Sequence, residues 1–319
     1  MASTINASTS GGGGIISTAD ASGTLTLQGA GNTGLSIDSS GNATATTQSA
    51  GNNSTRIATT AFLATALGGT ALRGYIDGLL LSTAGSSTTM SISAGVAADS
   101  TNAIIMSLGS TLSKTTSAWA VGSGNGGLDT GSIANNTWYY FYEIERTDFT
   151  VVDVLFTATY GSPTMPANYT YKRYIGAGKT NGSGQWLSFT QTGNIFQWAV
   201  APLDANAVAI SDTNGHLLTI SVPVGPKVEA IFNGGGLVAG PNQQILFSSP
   251  DLTDAAASYT AAPLSNNVSY NIGNVIWPAQ YRIVTNTSGQ IRYRSNNTAS
   301  SPVLYLATLG WVDLRGKDS

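Results

Sequence analysis

The sequence predicts a mainly β protein: an extended, β-rich N-terminal anchor or stalk, followed by a C-terminal antiparallel β-sandwich of jelly-roll type. Three observations carry this expectation. Charged residues make up only 9 % of the 319 positions, against ~25 % in an average globular chain. Gly, Ser, Thr, Asn and Ala take their place. These suit tight turns and close backbone packing, and they leave too little Glu, Lys and Arg for soluble surface helices. Short runs of alternating apolar and polar residues also recur between Gly/Asn/Ser turn signals.

Residues 1–53 read as the anchor or stalk, 54–69 as a collar-like linker with a short helix, and 70–319 as the sandwich. Residues 1–69 carry three charges (Asp20, Asp38, Arg56) and one aromatic, Phe62. Such a segment cannot bury enough surface to fold alone. It nevertheless holds three period-2 runs, Gly23–Gln28, Gly34–Asp38 and Asn42–Thr47. They read as small strands that need partners, which a homo-oligomer supplies from copies of the same chain. In the linker, Thr59 or Thr60 can cap a short helix and Gly68 can end it. Ile57, Leu63 and Leu67 then lie near one face, with Phe62 alongside.

All six Trp and every Tyr fall after residue 70. Strands are expected at 75–82, 89–94, 136–146, 151–159, 169–177, 217–222, 228–233, 244–248, 275–277, 281–284, 290–294 and 303–312. In the first of these, Leu72, Ile76, Leu79 and Leu80 also fit a helix face. Gly74 and Gly78 weaken that helix and favour a strand. Tyr281–Arg294 reads as a hairpin around the turn Asn286–Gly289. Trp138–Tyr142 is five consecutive aromatics, expected in a core or a subunit interface.

Few motifs carry chemistry. With no cysteine and one histidine, His216, thiolate chemistry and Cys-based metal sites are excluded, and no metal or cofactor is expected. His216, with only Asp212 near it, reads as a turn residue at a strand start rather than a catalytic base. Gly122–Gly127 spells GxGxxG, but no helix follows, so a flexible loop is expected rather than a dinucleotide site. Gly178-Lys179-Thr180 lacks the upstream glycine of a phosphate loop, since Arg173 stands there, and reads as a strand end before the turn Asn181–Gly184. Glu143 and Glu145 share one strand face with Asp148 and Asp153 close by. A glycosidase pair is conceivable, but pairing with Arg146 or a solvated face is the plainer reading, and no catalytic residue is assigned. Binding chemistry is better served by aromatics in polar loops: Tyr160–Pro163, Gly184–Trp186 and Asn194–Trp198. Trp186, beside two glycines, is the expected exposed residue for stacking on a sugar.

Net charge is -3 with no basic run, so nucleic-acid binding is not expected. No apolar stretch is long enough for a membrane helix, and the start lacks a signal-peptide pattern. Synthesis in a cytoplasm is therefore expected.

Three stretches resemble bacteriophage virion proteins. The opening MASTINASTSGGGGIISTADASGTLTLQ is similar to N-terminal attachment segments of tail-fibre-like proteins. NNSTRIATTAFLATAL, Asn52–Leu67, resembles the collar before the head domains of phage tail fibres. RGYIDGLLLS (Arg73–Ser82), SAGVAADS (Ser93–Ser100) and YLATLGWVDLRG (Tyr305–Gly316) resemble a C-terminal domain of phage and prophage genes. The resemblance implies a homotrimeric virion appendage, made in a bacterial host and docked on another tail or capsid protein through residues 1–69. It carries no catalytic residues. The expected function is a tail fibre or receptor-binding protein that attaches the particle to a host surface polysaccharide. The alternative is a capsid-decorating head fibre, or another structural component, without adhesion. Enzymatic activity is not expected.

Overall fold

The computed structural model describes residues 23–29, 32–49, 52, 54–61, 73–238, 243–258, 260–265, 267–268, 275–276, 278–299 and 301–317. Most of the opening segment, the linker helix beyond Ala61, Leu72 and Trp277 lie outside these residues. The chain divides into two compact units, Met1–Thr70 and Ala71–Ser319. The mainly β expectation holds, since every named element is a strand.

Among its described residues the first unit holds three strands, β1 (Leu25–Gly29), β2 (Asn32–Ile37) and β3 (Ala43–Ala45), in one antiparallel meander. The register sets Leu25 opposite Ile37 and Leu27 opposite Leu35, and Ala43 and Ala45 continue the same rows. Strand side chains alternate faces, so all six aliphatic residues share one face. Thr26, Ser36 and Thr44 share the other.

The second unit begins with β4 (Ile76–Gly78), β5 (Leu81–Ser82), β6 (Thr89–Ile92), β7 (Gly95–Ala98), β8 (Ile105–Leu108), β9 (Leu112–Ala118) and β10 (Gly126–Leu128). It continues with β11 (Trp138–Arg146), β12 (Val152–Thr157), β13 (Tyr169–Lys179), β14 (Phe189–Thr192), β15 (Ile195–Trp198) and β16 (Leu203–Ala209). The last are β17 (His216–Thr219), β18 (Glu229–Val238), β19 (Gln244–Ser248), β20 (Asn267–Val268), β21 (Val275–Ile276), β22 (Ala279–Val284), β23 (Gln290–Ser295) and β24 (Val303–Val312).

These strands form four sheets. The first has the order β13-β11-β12-β10-β9-β6-β5. The second runs β14-β15-β24-β18-β21, with β16 also on β24 and β22 also on β18. Two smaller sheets run β17-β23-β19-β20 and β4-β7-β8. Pairing is antiparallel except at β10, which lies parallel to both β9 and β12. Glycine makes this insertion sterically feasible: a Cβ at Gly126 would stand 2.0 Å from the Ala118 carbonyl oxygen, and one at Gly127 would stand 2.6 Å from the Phe156 ring.

One core draws on all four of these sheets, with Ile76, Ala97 and Leu108 from the fourth. Phe141, Phe156 and Ile175 come from the first, Phe196, Phe232 and Trp311 from the second, and Ile245 and Tyr293 from the third. The five aromatics of β11 split by pleat. Tyr139 and Phe141 enter this core, while Tyr140 and Tyr142 enter a second cluster with Ile144, Leu155 and Tyr174. β11 is thus buried on both faces, which explains a run of aromatics with no polar alternation.

Two expectations about strands need correction. The 75–82 strand is broken at Leu79, a fully buried leucine with φ 54°. The proposed Tyr281–Arg294 hairpin does not pair. The turn closes, with Gly289 N–H donating to Asn286 O at 3.1 Å, but β22 pairs with β18 and β23 pairs with β17 and β19. The turn carries the chain from one sheet to another. Local turn chemistry fixes the reversal, while the long-range partners fix the pairing.

Candidate functional site

The expected binding residue, Trp186, is in the core and fully buried. The turn after β13 is closed by Asn181, whose side-chain oxygen accepts from Ser183 N at 2.8 Å and Gln185 N at 3.0 Å. The returning chain bridges Ser87 and Thr180, which directs the indole inward. It packs against Tyr139, Phe141 and Phe156, and Nε1 donates to Thr88 O at 3.2 Å. The neighbouring glycines serve the turn rather than exposure. Asn194–Trp198 is also no loop. Ile195–Trp198 forms β15 and buries Phe196 and Trp198. Tyr160 packs edge-on against Tyr140 and Tyr174.

The acidic residues do not converge on a cleft. Glu143 and Glu145 are buried, not solvated and not paired with Arg146. Asp148 pairs with Arg146 at 3.0 Å, in the turn after β11. Asp153 pairs with Lys114 at 2.8 Å, with both side chains inaccessible. Lys114 also donates to the Ala120 and Gly122 carbonyls, at 2.8 and 3.1 Å, and Gly122 N–H donates to Asp153 at 2.8 Å. The GxGxxG segment is therefore pinned from beneath rather than flexible, and its last two glycines belong to β10. Burial holds the Lys114 ammonium below its ordinary range, against the opposing pull of Asp153.

Glu143 lies across from Arg173 on β13. Both of its carboxyl oxygens lack a hydrogen bond of normal geometry. Burial is the chief reason its carboxyl is pushed up to about 8. The Glu145 carboxyl adds to the rise and the Arg315 guanidinium opposes it.

Arg173 and Arg315 fasten the domain ends together. Arg173 donates to the Gly74 and Arg315 carbonyls, each at 3.1 Å. Arg315 donates to Ile175 O at 2.8 Å, Gly78 O at 2.9 Å and Leu79 O at 2.6 Å. Asp313 completes the latch, accepting from Tyr174 Oη at 2.5 Å and Arg315 N at 2.8 Å. A Cβ at Gly74 would stand 2.3 Å from the Lys317 carbonyl oxygen, so close approach of the two ends requires glycine there.

His216 opens β17 as expected, bonded to Asp212 at 2.8 Å and stacked on Tyr293. Among the described residues no group of three or more His, Cys, Asp or Glu could hold a metal ion. No described helix is long and apolar enough to cross a membrane.

Two surface features bear on the question of binding. The apolar face of the N-terminal meander is one: Leu25 and Leu27 are 46 % and 50 % exposed. The second lies in the turn between β11 and β12. Phe149 is 60 % exposed there and stacks on Tyr171, with ring centroids 5.6 Å apart and planes 20° from parallel. Sequence reasoning missed this pair. Its signal is a phenylalanine between Asp148 and Thr150 in a hairpin turn, where no core claims it.

Comparison with known protein families, with curated proteins and with solved structures finds no match.

Proposed function

We propose that the chain is a subunit of a bacteriophage appendage, a fibre or receptor-binding protein built from three copies and anchored to the particle through residues 1–69. Its large β domain meets the host surface. The observation that supports this reading is the partly uncovered apolar face of the N-terminal meander, where Leu25, Leu27 and Ala43 are exposed and Leu35, Ile37 and Ala45 half-buried. A sheet of three short strands with one apolar face must bury that face against another layer. Leu25, Leu27, Leu35, Ile37, Ala43 and Ala45 form it with no charged residue among them. Identical copies can therefore associate through it without charge repulsion, each covering the others. The segments that resemble phage attachment and collar sequences lie in this same unit. Adhesion, with no bond made or broken, is the activity proposed for the large domain.

The test is the solution mass of the full-length protein by light scattering. The expected mass is three times 32.6 kDa. Leu27→Asp places a charge on the shared face and should lower the mass to that of one chain. It should leave the thermal unfolding of the large domain in place. A wild-type mass of one chain, or a trimer indifferent to Leu27→Asp, would refute assembly through this face. Antibody labelling of intact particles then separates tail from head location.

A further inference from the structure

The turn between β11 and β12 holds a bulky side chain in a strained backbone. Phe149 has φ 60°. In that region Cβ crowds the following carbonyl, so glycine or asparagine is the usual occupant. The surroundings hold the conformation. Arg146 N–H donates to Val151 O at 3.1 Å and Phe149 N–H to Arg146 O at 3.0 Å. The Asp148 carboxylate accepts from Thr150 Oγ1 at 2.6 Å and Thr150 N at 3.2 Å, and it pairs with Arg146. The turn is also tied sideways: Thr147 N–H donates to Asn168 O at 2.9 Å, and the Thr147 and Thr170 hydroxyls are 2.9 Å apart.

All of this rigidity displays one aromatic ring. One face of Phe149 lies on Tyr171, and the residue stays 60 % exposed, so the other face is open. The ring belongs to neither hydrophobic cluster. Strain in an exposed turn with no packing return marks a position shaped by something other than stability.

We propose that Phe149, backed by Tyr171, is a stacking platform for one pyranose ring of a surface polysaccharide, with Thr147, Asp148, Thr150 and Thr170 as its polar rim. This rests on the adhesive reading above. A pyranose ring has a face of C–H groups and an equator of hydroxyls. The first needs a flat aromatic surface and the second needs hydroxyl and carboxylate partners, and this turn offers both side by side. A nucleic-acid base would also stack, but its phosphates would meet the half-exposed Asp148 on a chain of net charge -3. A protein partner would call for an apolar patch of several hundred Å², whereas here a single exposed ring stands in a turn of threonine and aspartate residues. The rigid turn limits the ordering cost of binding.

The experiment is saturation-transfer NMR on the full-length protein, using oligomers of glucose, galactose, mannose, rhamnose and N-acetylglucosamine as probes. Transfer to the ring C–H protons of at least one oligomer is expected. Phe149→Gly should weaken that binding at least tenfold, and Phe149→Trp should retain it. Glycine adopts this backbone conformation freely, so Phe149→Gly should fold at least as well as the parent, and thermal unfolding verifies this. Absence of transfer to every probe overturns the proposal, as does equal affinity in the parent and Phe149→Gly. A fall in solution mass on Phe149→Gly would make the platform a subunit contact, overturning the sugar assignment while leaving the fibre reading intact. A single-chain parent that still binds through Phe149 would retain the platform and sink the trimeric fibre.

Discussion

Glu143 offers the sharpest quantitative test of the interior. Its carboxyl is fully buried, and burial with the neighbouring Glu145 pushes it up to about 8 from an ordinary 4.5. In the unfolded chain it ionises near 4.5, while in the native protein it keeps its proton. A group with a raised native value contributes its full stability below the unfolded value and loses it as pH rises through the native one. Each pH unit between 4.5 and 8 therefore removes about 1.4 kcal/mol from the native state. At pH 7 the accumulated loss is about 3 kcal/mol, and above pH 8 it levels off near about 5 kcal/mol. That is a large part of the ~5–15 kcal/mol by which domains are usually stable. Glu143→Gln has nearly the same shape and no charge at any pH, so it removes this dependence. Urea unfolding of both proteins at pH 5, 7 and 8.5, at one fixed protein concentration, should give near-equal stabilities at pH 5. The variant should be the more stable by about 3 kcal/mol at pH 7 and by more at pH 8.5. Parallel pH profiles would refute the reasoning. So would a variant that is weaker at pH 8.5. The first result would mean that Arg173 and Arg315 offset the burial and leave Glu143 to ionise as in the unfolded chain, and the second that its charge stabilises the fold.

Two further perturbations probe other parts of the interior. Lys114→Met strips the partner from buried Asp153 and should cost about 3–5 kcal/mol, seen as a lower thermal midpoint. Pairing it with Asp153→Asn should recover part of that loss, since neither position then holds an unpaired charge. Trp186→Ala opens a cavity among Tyr139, Phe141 and Phe156 and should cost about 3–5 kcal/mol. Trp186→Phe should cost less and leave sugar affinity unchanged, because Trp186 reaches no surface.

The sequence was most legible where a segment's own pattern decides its structure. Gln244–Ser248 and Val303–Val312 match the strands residue for residue. Each is an apolar or alternating run between turn residues, and β24 buries every second residue through most of its length. The three strands of the N-terminal unit were legible for the same reason. Gly95–Ala98, Ile105–Leu108, Leu112–Ala118 and Gly126–Leu128 were not foreseen. Ile105–Leu108 has only four residues, and the other three are rich in Gly, Ala, Ser or Thr, so only their neighbours make them strands. Pairing was illegible for β22 and β23 because a competent turn does not choose partners. Trp186 was misplaced because adjacent glycines signal a reversal of the chain without telling which side faces in. Glu143 was misplaced because an acidic residue on a strand ordinarily faces water, and nothing in the local sequence places β8 and the Arg315 latch above it.

The use of charge in this molecule gives its end motifs a structural role. Eight charged side chains are buried among the described residues: Asp99, Lys114, Glu143, Glu145, Asp153, Arg173, Asp313 and Arg315. Several of them hold backbone rather than ligands. Arg173 and Arg315 satisfy carbonyls of Gly74, Gly78 and Leu79, where the chain leaves regular pairing and glycine or left-handed geometry prevails. Buried carbonyls in such irregular segments need donors, and a guanidinium can serve several at once. RGYIDG at one end of the domain and WVDLRG at the other are thus two halves of one fastener, with Arg173 between them. Both motifs serve closure of the domain, and their buried side chains hold backbone rather than a ligand. On the adhesive proposal, specificity belongs where the fastener plays no part, in turns such as 146–151, whose residues can change without loosening the ends.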